Sequence, residues 1–282
     1  MGTSTRLPGP RGQEWRTARE RLTKATNHHY GAGAAESARQ NTEGGMPTSS
    51  RDHPSWFPLD TDGLPDAEVS LLATQFLRCL AQSLDADPDA FGARATVAST
   101  GLRLLKVVGN IDTEGPPRGL EIRPQRSGID EVLFARRFTE AVSGSGGRVI
   151  DHCCRRAAAH SAQILLRRHD VRRSLTGVAW RPGSLDDEFL CLLYRHYVAD
   201  VLIALLTAFI EGNLTMVFPA LPALDPVGLI AGEISGQLVD LVPTPCDRQS
   251  RHPDATSILA TARTMIETAV DETLANVLEV AA

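Results

Sequence analysis

Lysine is almost missing from this chain: Lys24 and Lys106 are the only two, against 27 arginines. Arginine and alanine codons are GC-rich and lysine codons are not. Beside abundant alanine, the deficit therefore marks a GC-rich bacterial genome and carries no information about activity. Aromatic residues make up only 5% of the 282 positions, so the core is expected to rest on Leu, Val, Ile and Ala. The hydrophobic fraction of 42% is ordinary for a globular protein and allows a sizeable core. The first 30 residues are polar and hold no apolar run of the kind a secretory leader needs. The most apolar window, Val201 to Ile210, is ten residues long, short of the ~20 that span a bilayer. A cytoplasmic protein without a membrane segment is the expectation.

Cysteine is sparse and unpatterned. Cys79, Cys153, Cys154, Cys191 and Cys246 are odd in number, and no two stand at the C-x-x-C spacing of a zinc or redox site. Free thiols in a reducing cytosol follow as the expectation. Also missing are the G-x-S-x-G elbow of hydrolases, the G-x-x-x-x-G-K-[ST] phosphate loop, and a G-x-G-x-x-G between strand and helix. The glycine-rich run Ser143 to Gly147 precedes Arg148 at a predicted helix start. It has no preceding strand and no lysine, and it reads as a flexible linker.

What is present is helical periodicity. Residues 1–55 carry Gly, Ser, Thr, Pro and Arg without period and read as a disordered segment, which holds a short helix at Glu14 to Thr26 if the whole stretch is translated. The codons for Glu43-Gly44-Gly45 can contain a ribosome-binding sequence, so translation is expected to begin at Met46. Order is expected from Trp56-Phe57-Pro58 onward, in a single helical domain over 56–282. Leu71, Leu72, Phe76, Leu80 and Leu84 predict a first helix, and Phe91 to Val108 a second that stops at Gly109. The Pro- and Gly-rich stretch 109–128 predicts an internal break or mobile loop, with Leu120 to Arg123 as a possible short strand. Further helices are predicted over 129–142, over 148–175 in one or two pieces, and from a Ser184 cap to about Glu211. Two more follow, at 226–242 and 254–280. The 184–211 segment is apolar nearly all round and is expected at the centre of the core. The fold class is therefore all-α, a bundle of six or seven helices with little or no strand.

The net charge of −5 conceals an asymmetry: residues 1–100 carry −2, residues 101–181 carry +7 and residues 182–282 carry −10. Basic helices packed on acidic ones satisfy this within one fold, and a basic middle also suits an acidic partner protein. Between 148 and 179 no aromatic residue interrupts the arginines, so the base-stacking platform of a nucleic-acid binder is lacking.

Candidate chemistry lies in His and Asp residues. Asp151-His152, His160 and His169-Asp170 fall in the basic segment, with His196 and Asp200 on the next predicted helix. This order of a histidine, a His-Asp doublet and a later aspartate resembles the pattern of HD-domain metal phosphohydrolases. That resemblance implies a divalent metal held by His160 or His152, by His169 and Asp170, and by Asp200. Arginines 167, 168, 172 and 173 flank the doublet, an arrangement that repels a cation. Separately, His196 and Asp200 at i and i+4 share a helix face with Thr207 and Glu211. A polar stripe on an apolar helix is either internally paired or a general acid/base site built from His196, Asp200 and Glu211. No cofactor is expected beyond that conditional metal. The reading reached from sequence is a non-enzymatic adaptor or regulatory protein that acts through a protein partner or a second copy of itself. A metal-dependent hydrolase built on the His/Asp cluster is the alternative.

Overall fold

The computed structural model describes residues 12–24, 66–87, 90–115, 127–175, 181–183, 185–214, 226–251 and 257–280. These are 88% helical, with no strand among them. The all-α expectation holds. The helices are α1 (13–24), α2 (Asp66–Ala86), α3 (Ala93–Glu114), α4 (Ser127–Ser143), α5 (Val149–Arg167), α6 (His169–Leu175), α7 (Asp187–Leu214), α8 (Pro226–Leu241), α9 (Pro245–Arg251), α10 (Ile258–Met265) and α11 (Ala269–Val280). There are more segments than the six or seven expected. The C-terminal helix is split by a turn at 266–268, and the short α9 follows the Pro243-Thr244-Pro245 break, with Asp247 accepting hydrogen bonds from the Thr244 amide and hydroxyl. Ser184, Trp56 to Pro58 and the Leu120 to Arg123 segment lie outside the described residues.

The centre of the molecule is α7. Its apolar residues face every direction, so it is stable only when covered on all sides. Among the described residues it is the one helix long and apolar enough to cross a bilayer, over Asp187–Glu211, well beyond the ten-residue window that sequence singled out. Yet 72% of its apolar window is buried inside the protein. The α5 helix makes its most extensive contact, α8 lies on another side, and α3, α9 and α10 close the rest. Tyr194, Tyr197 and Phe209 of α7 are fully buried, with Phe76, Phe134 and Phe138 from elsewhere in the core. The core rests mainly on Leu, Val, Ile and Ala, as expected, and the few aromatics are among its largest fully buried side chains. Burial of each such ring removes enough apolar surface from water to stabilise the fold by about 1.5–3 kcal/mol.

Local chemistry sets where the helices start and stop. The carboxylate of Asp186 accepts the amide hydrogen of Phe189 at 2.7 Å, so Asp186 caps α7. At the start of α5, Asp151 accepts the Arg148 amide at 2.8 Å. The α5 helix ends where Arg168 turns extended (φ −71°, ψ 118°), and α6 restarts at His169. Gly109 does not stop α3, which runs on to Gly115 at φ 82°. A Cβ at Gly109 would stand 3.3 Å from Leu259, so the glycine lets α10 approach. The expected break at 109–128 therefore begins only after residue 115, and residues 116–126 lie outside the described residues.

Two further findings concern the N-terminal segment and the cysteines. Residues 13–24 are helical, and Trp15, Ala18 and Leu22 are buried, Trp15 standing edge-on to Phe76 at 5.3 Å. This part of the 1–55 segment is packed rather than disordered, because one turn-to-turn apolar stripe suffices to dock a short helix. In addition, Cys191 of α7 and Cys246 of α9 form a disulfide across 55 residues, with Cα atoms 6.0 Å apart. Cys79, Cys153 and Cys154 are free and buried. The expectation of five free thiols fails because cysteine spacing along the chain carries no information about proximity in the fold.

Closing a 55-residue loop restricts the unfolded chain and stabilises the fold by at most about 4 kcal/mol. Replacing both Cys191 and Cys246 by Ser is expected to lower the denaturant-unfolding free energy by about 2–4 kcal/mol. Alkylation of the unfolded, unreduced chain is expected to label only Cys79, Cys153 and Cys154. Five labelled cysteines would contradict the disulfide.

Candidate functional site on the α5 and α7 face

The sequence candidates separate into two groups. His160 of α5 meets His196 and Asp200 of α7 at the contact between these helices. The Asp200 carboxylate lies 2.6 Å from Nδ1 of His160, and the His160 and His196 rings stand edge to face with centroids 5.9 Å apart. A carboxylate only accepts hydrogen bonds, so Nδ1 of His160 carries a hydrogen and donates it to Asp200. The other candidates lie elsewhere. His169 is exposed on the first turn of α6. Asp170 is spent on Arg168 at 3.2 Å. Burial pushes its carboxyl up, but the Arg168 hydrogen bonds prevail and hold it below 3.8. Glu211 is exposed. It lies three turns beyond Asp200, roughly 16 Å along the helix axis. Among the described residues no group of three or more His, Cys, Asp or Glu side chains is arranged to hold a metal ion. Of the ligands that the resemblance implies, His160 and Asp200 meet, whereas His169 and Asp170 lie beyond the bend at Arg168, on α6, with His169 exposed and Asp170 bound to Arg168.

The Asp200 carboxylate is largely buried, and burial raises its pKa above 3.8 while His160 opposes the rise. His196 is held below 6.5, first by burial, with His160 and Arg195 adding and Asp200 opposing. His196 is thus an uncharged imidazole at neutral pH.

Beside this cluster opens a cavity of about 300 Å³, lined by His160, Ile164, Arg167, Arg168, Phe189, Leu192 and His196. Ile164 and Phe189 are buried, whereas Leu192 is 43% exposed. Arg168 is a fixed wall: it binds Asp170, binds Asp186 at 3.0 Å, and lays its guanidinium over the Phe189 ring at 4.9 Å. The sequence reading missed the wall residues and the arginines around them. The signal was available in the spacing: Arg156, His160, Gln163 and Arg167 recur at helical intervals on α5. Arg156, Gln163 and Arg167 are exposed. Neither Arg156 nor Arg167 forms an ion pair with another described residue, and the buried Nε of Arg195 has no hydrogen-bond partner.

Comparison with known protein families, with curated proteins and with solved structures finds no match to this chain.

The pKa of His196 gives a signed expectation. The unfolded chain takes up the histidine proton near 6.5, and the folded chain only at lower pH. Stability from the uncharged ring is therefore full above 6.5 and is lost as the pH falls from there through the folded value. Asp200 acts oppositely at lower pH: the folded state holds its proton more readily, so its ionisation lowers stability as the pH rises from 3.8 through the folded value. Urea unfolding just below pH 6.5 is expected to show stability rising with pH. His196→Gln should flatten that rise, and a variant that keeps the full slope would contradict the assignment.

Proposed function

We propose that the protein is a non-enzymatic adaptor or regulatory component that receives an acidic partner protein on the outward face of α5 and α7. One observation carries this reading. Arg167, without an ion-pair partner among the described residues, lines an open apolar cavity together with the half-exposed Leu192, and the exposed Arg156 stands three turns earlier on α5. Exposed, unpaired arginines beside an apolar recess provide what a protein interface uses: a desolvated anchor point and charge that selects the partner. From the acidic 182–282 segment, Asp186 binds Arg168 and Asp200 binds His160, which leaves Arg167 without an ion-pair partner among the described residues. The proposed source is bacterial; the cytoplasmic setting expected from the sequence is at odds with the Cys191–Cys246 disulfide, which a reducing cytosol would open. A second copy of the chain is the alternative occupant of the face, since its acidic C-terminal part carries the opposite charge.

Hydrolysis is the second reading, and the His160–Asp200 hydrogen bond favours it. A carboxylate that orients an imidazole toward a cavity is how a general base is positioned. Among the described residues His160, His196 and Asp200 are not arranged as a metal-holding set. Equilibrium dialysis against zinc and manganese tests whether a metal takes part: one ion retained per chain, and lost in His160→Gln, would favour hydrolysis over adaptor function.

The partner reading is tested with the paired charge reversal Arg156→Glu and Arg167→Glu, both at exposed positions. Affinity capture from the native host is expected to retain acidic proteins on the unaltered chain and to lose them on the variant. Circular dichroism should show the variant to be folded. Identical capture by both forms would refute the assignment, and sedimentation equilibrium showing charge-dependent dimers would assign the face to a second copy.

A further inference from the structure

We infer that the cavity between α5 and α7 is a binding site for a small organic carboxylate with an apolar body, of the size of a single-ring aromatic acid or a short-chain fatty acid. The inference concerns the cavity alone and does not depend on a protein partner engaging the same face.

The walls determine the body of the ligand. Ile164, Phe189 and Leu192 present hydrocarbon, and Arg168 covers Phe189 with a guanidinium already committed to Asp170 and Asp186. An apolar group placed there leaves water without stranding a polar partner. A volume of about 300 Å³ admits one small molecule and no more.

The charges determine its head group. On α5 the site is faced by Arg156, His160 and Arg167. At the bend it is faced by Arg168 and Asp170, and on the α7 side by Asp186, Arg195, His196 and Asp200. Asp170 and Asp186 are bound to Arg168, and Asp200 to His160. Every facing acid is therefore matched, while Arg156, Arg167 and Arg195 form no ion pair among the described residues. Of these three, Arg167 lines the cavity. An anion entering the cavity meets one unspent guanidinium, that of Arg167, with the His160 and His196 rings lining the same space. Arg167 offers a forked donor that suits a carboxylate. A single unspent arginine and hydrocarbon walls fit a singly charged amphipathic acid better than a strongly hydrated dianion such as phosphate.

Hexanoate, its uncharged isostere hexanamide and inorganic phosphate serve as probes, read by NMR on the ring signals of His160 and His196 in the full chain. Hexanoate is expected to shift both rings saturably, and hexanamide to bind about tenfold more weakly or worse, as loss of a charged hydrogen bond requires. Arg167→Gln should reduce hexanoate to the hexanamide level while leaving hexanamide binding unchanged. Leu192→Trp, made at a half-exposed side chain, should block both organic probes. Equal binding of hexanoate and hexanamide would overturn the carboxylate assignment, as would phosphate saturating the same rings as tightly as hexanoate. No saturable shift with any probe would overturn the site. None of these outcomes bears on partner capture through Arg156 and Arg167, so the two readings fail separately.

Discussion

An apolar helix must be covered, and the structure is organised around covering α7. The helix from Asp187 to Leu214 offers hydrocarbon on nearly every side, so it is stable only inside a sleeve of other helices. The α5 helix forms the largest part of that sleeve, with α8 and shorter contacts from α3, α9 and α10 completing it. Coverage is incomplete along one line. Leu192, His196, Asp200, Ile203, Thr207 and Glu211 are the less buried positions, at helical spacing. On the α5 side of that line, polar groups of α7 face polar groups of α5. The functional surface is thus the seam left by the packing problem, and the His160–Asp200 hydrogen bond is what makes the seam tolerable in the interior. An ionised carboxylate taken out of water costs several kcal/mol unless it is paired, and His160 supplies the pair.

The helical class, the central place of the 184–211 segment and the polar stripe on it were all legible in the sequence, because 3.6-residue periodicity records which face a helix buries. Helix ends were less legible. Gly109 reads as a stop, yet it is a contact point for Leu259, and no local pattern separates these roles. Asp186, rather than the expected Ser184, caps α7, since both are good caps and only the geometry selects one. The candidate site was half legible. His160, His196 and Asp200 meet, whereas His169 and Asp170 do not join them, because the departure depends on an extended backbone at Arg168 that its neighbours do not announce.

The disulfide belongs to the same lesson. Cys191 and Cys246 lie 55 residues apart, and nothing in their spacing separates them from Cys79, Cys153 and Cys154. The fold separates them: the three free cysteines are buried on other surfaces, while α9 is laid against the start of α7. A bond of this kind persists where the surroundings are oxidising, and it ties α9 to the end of α7 that also bears Phe189 and Leu192. The cavity wall and the disulfide are therefore parts of one rigid corner.

The seam between α5 and α7 is the centre of the account, and the tautomer of His160 reports on it most directly. With Asp200 accepting its hydrogen bond, His160 must carry a hydrogen on Nδ1. Long-range proton–nitrogen NMR of the imidazole ring distinguishes the two forms. The Nδ1–H tautomer in the native protein, with its proton protected from solvent exchange, is the result predicted. An Nε2–H tautomer, or an Nδ1 proton that exchanges as freely as one on a surface histidine, would contradict the pairing and with it the site.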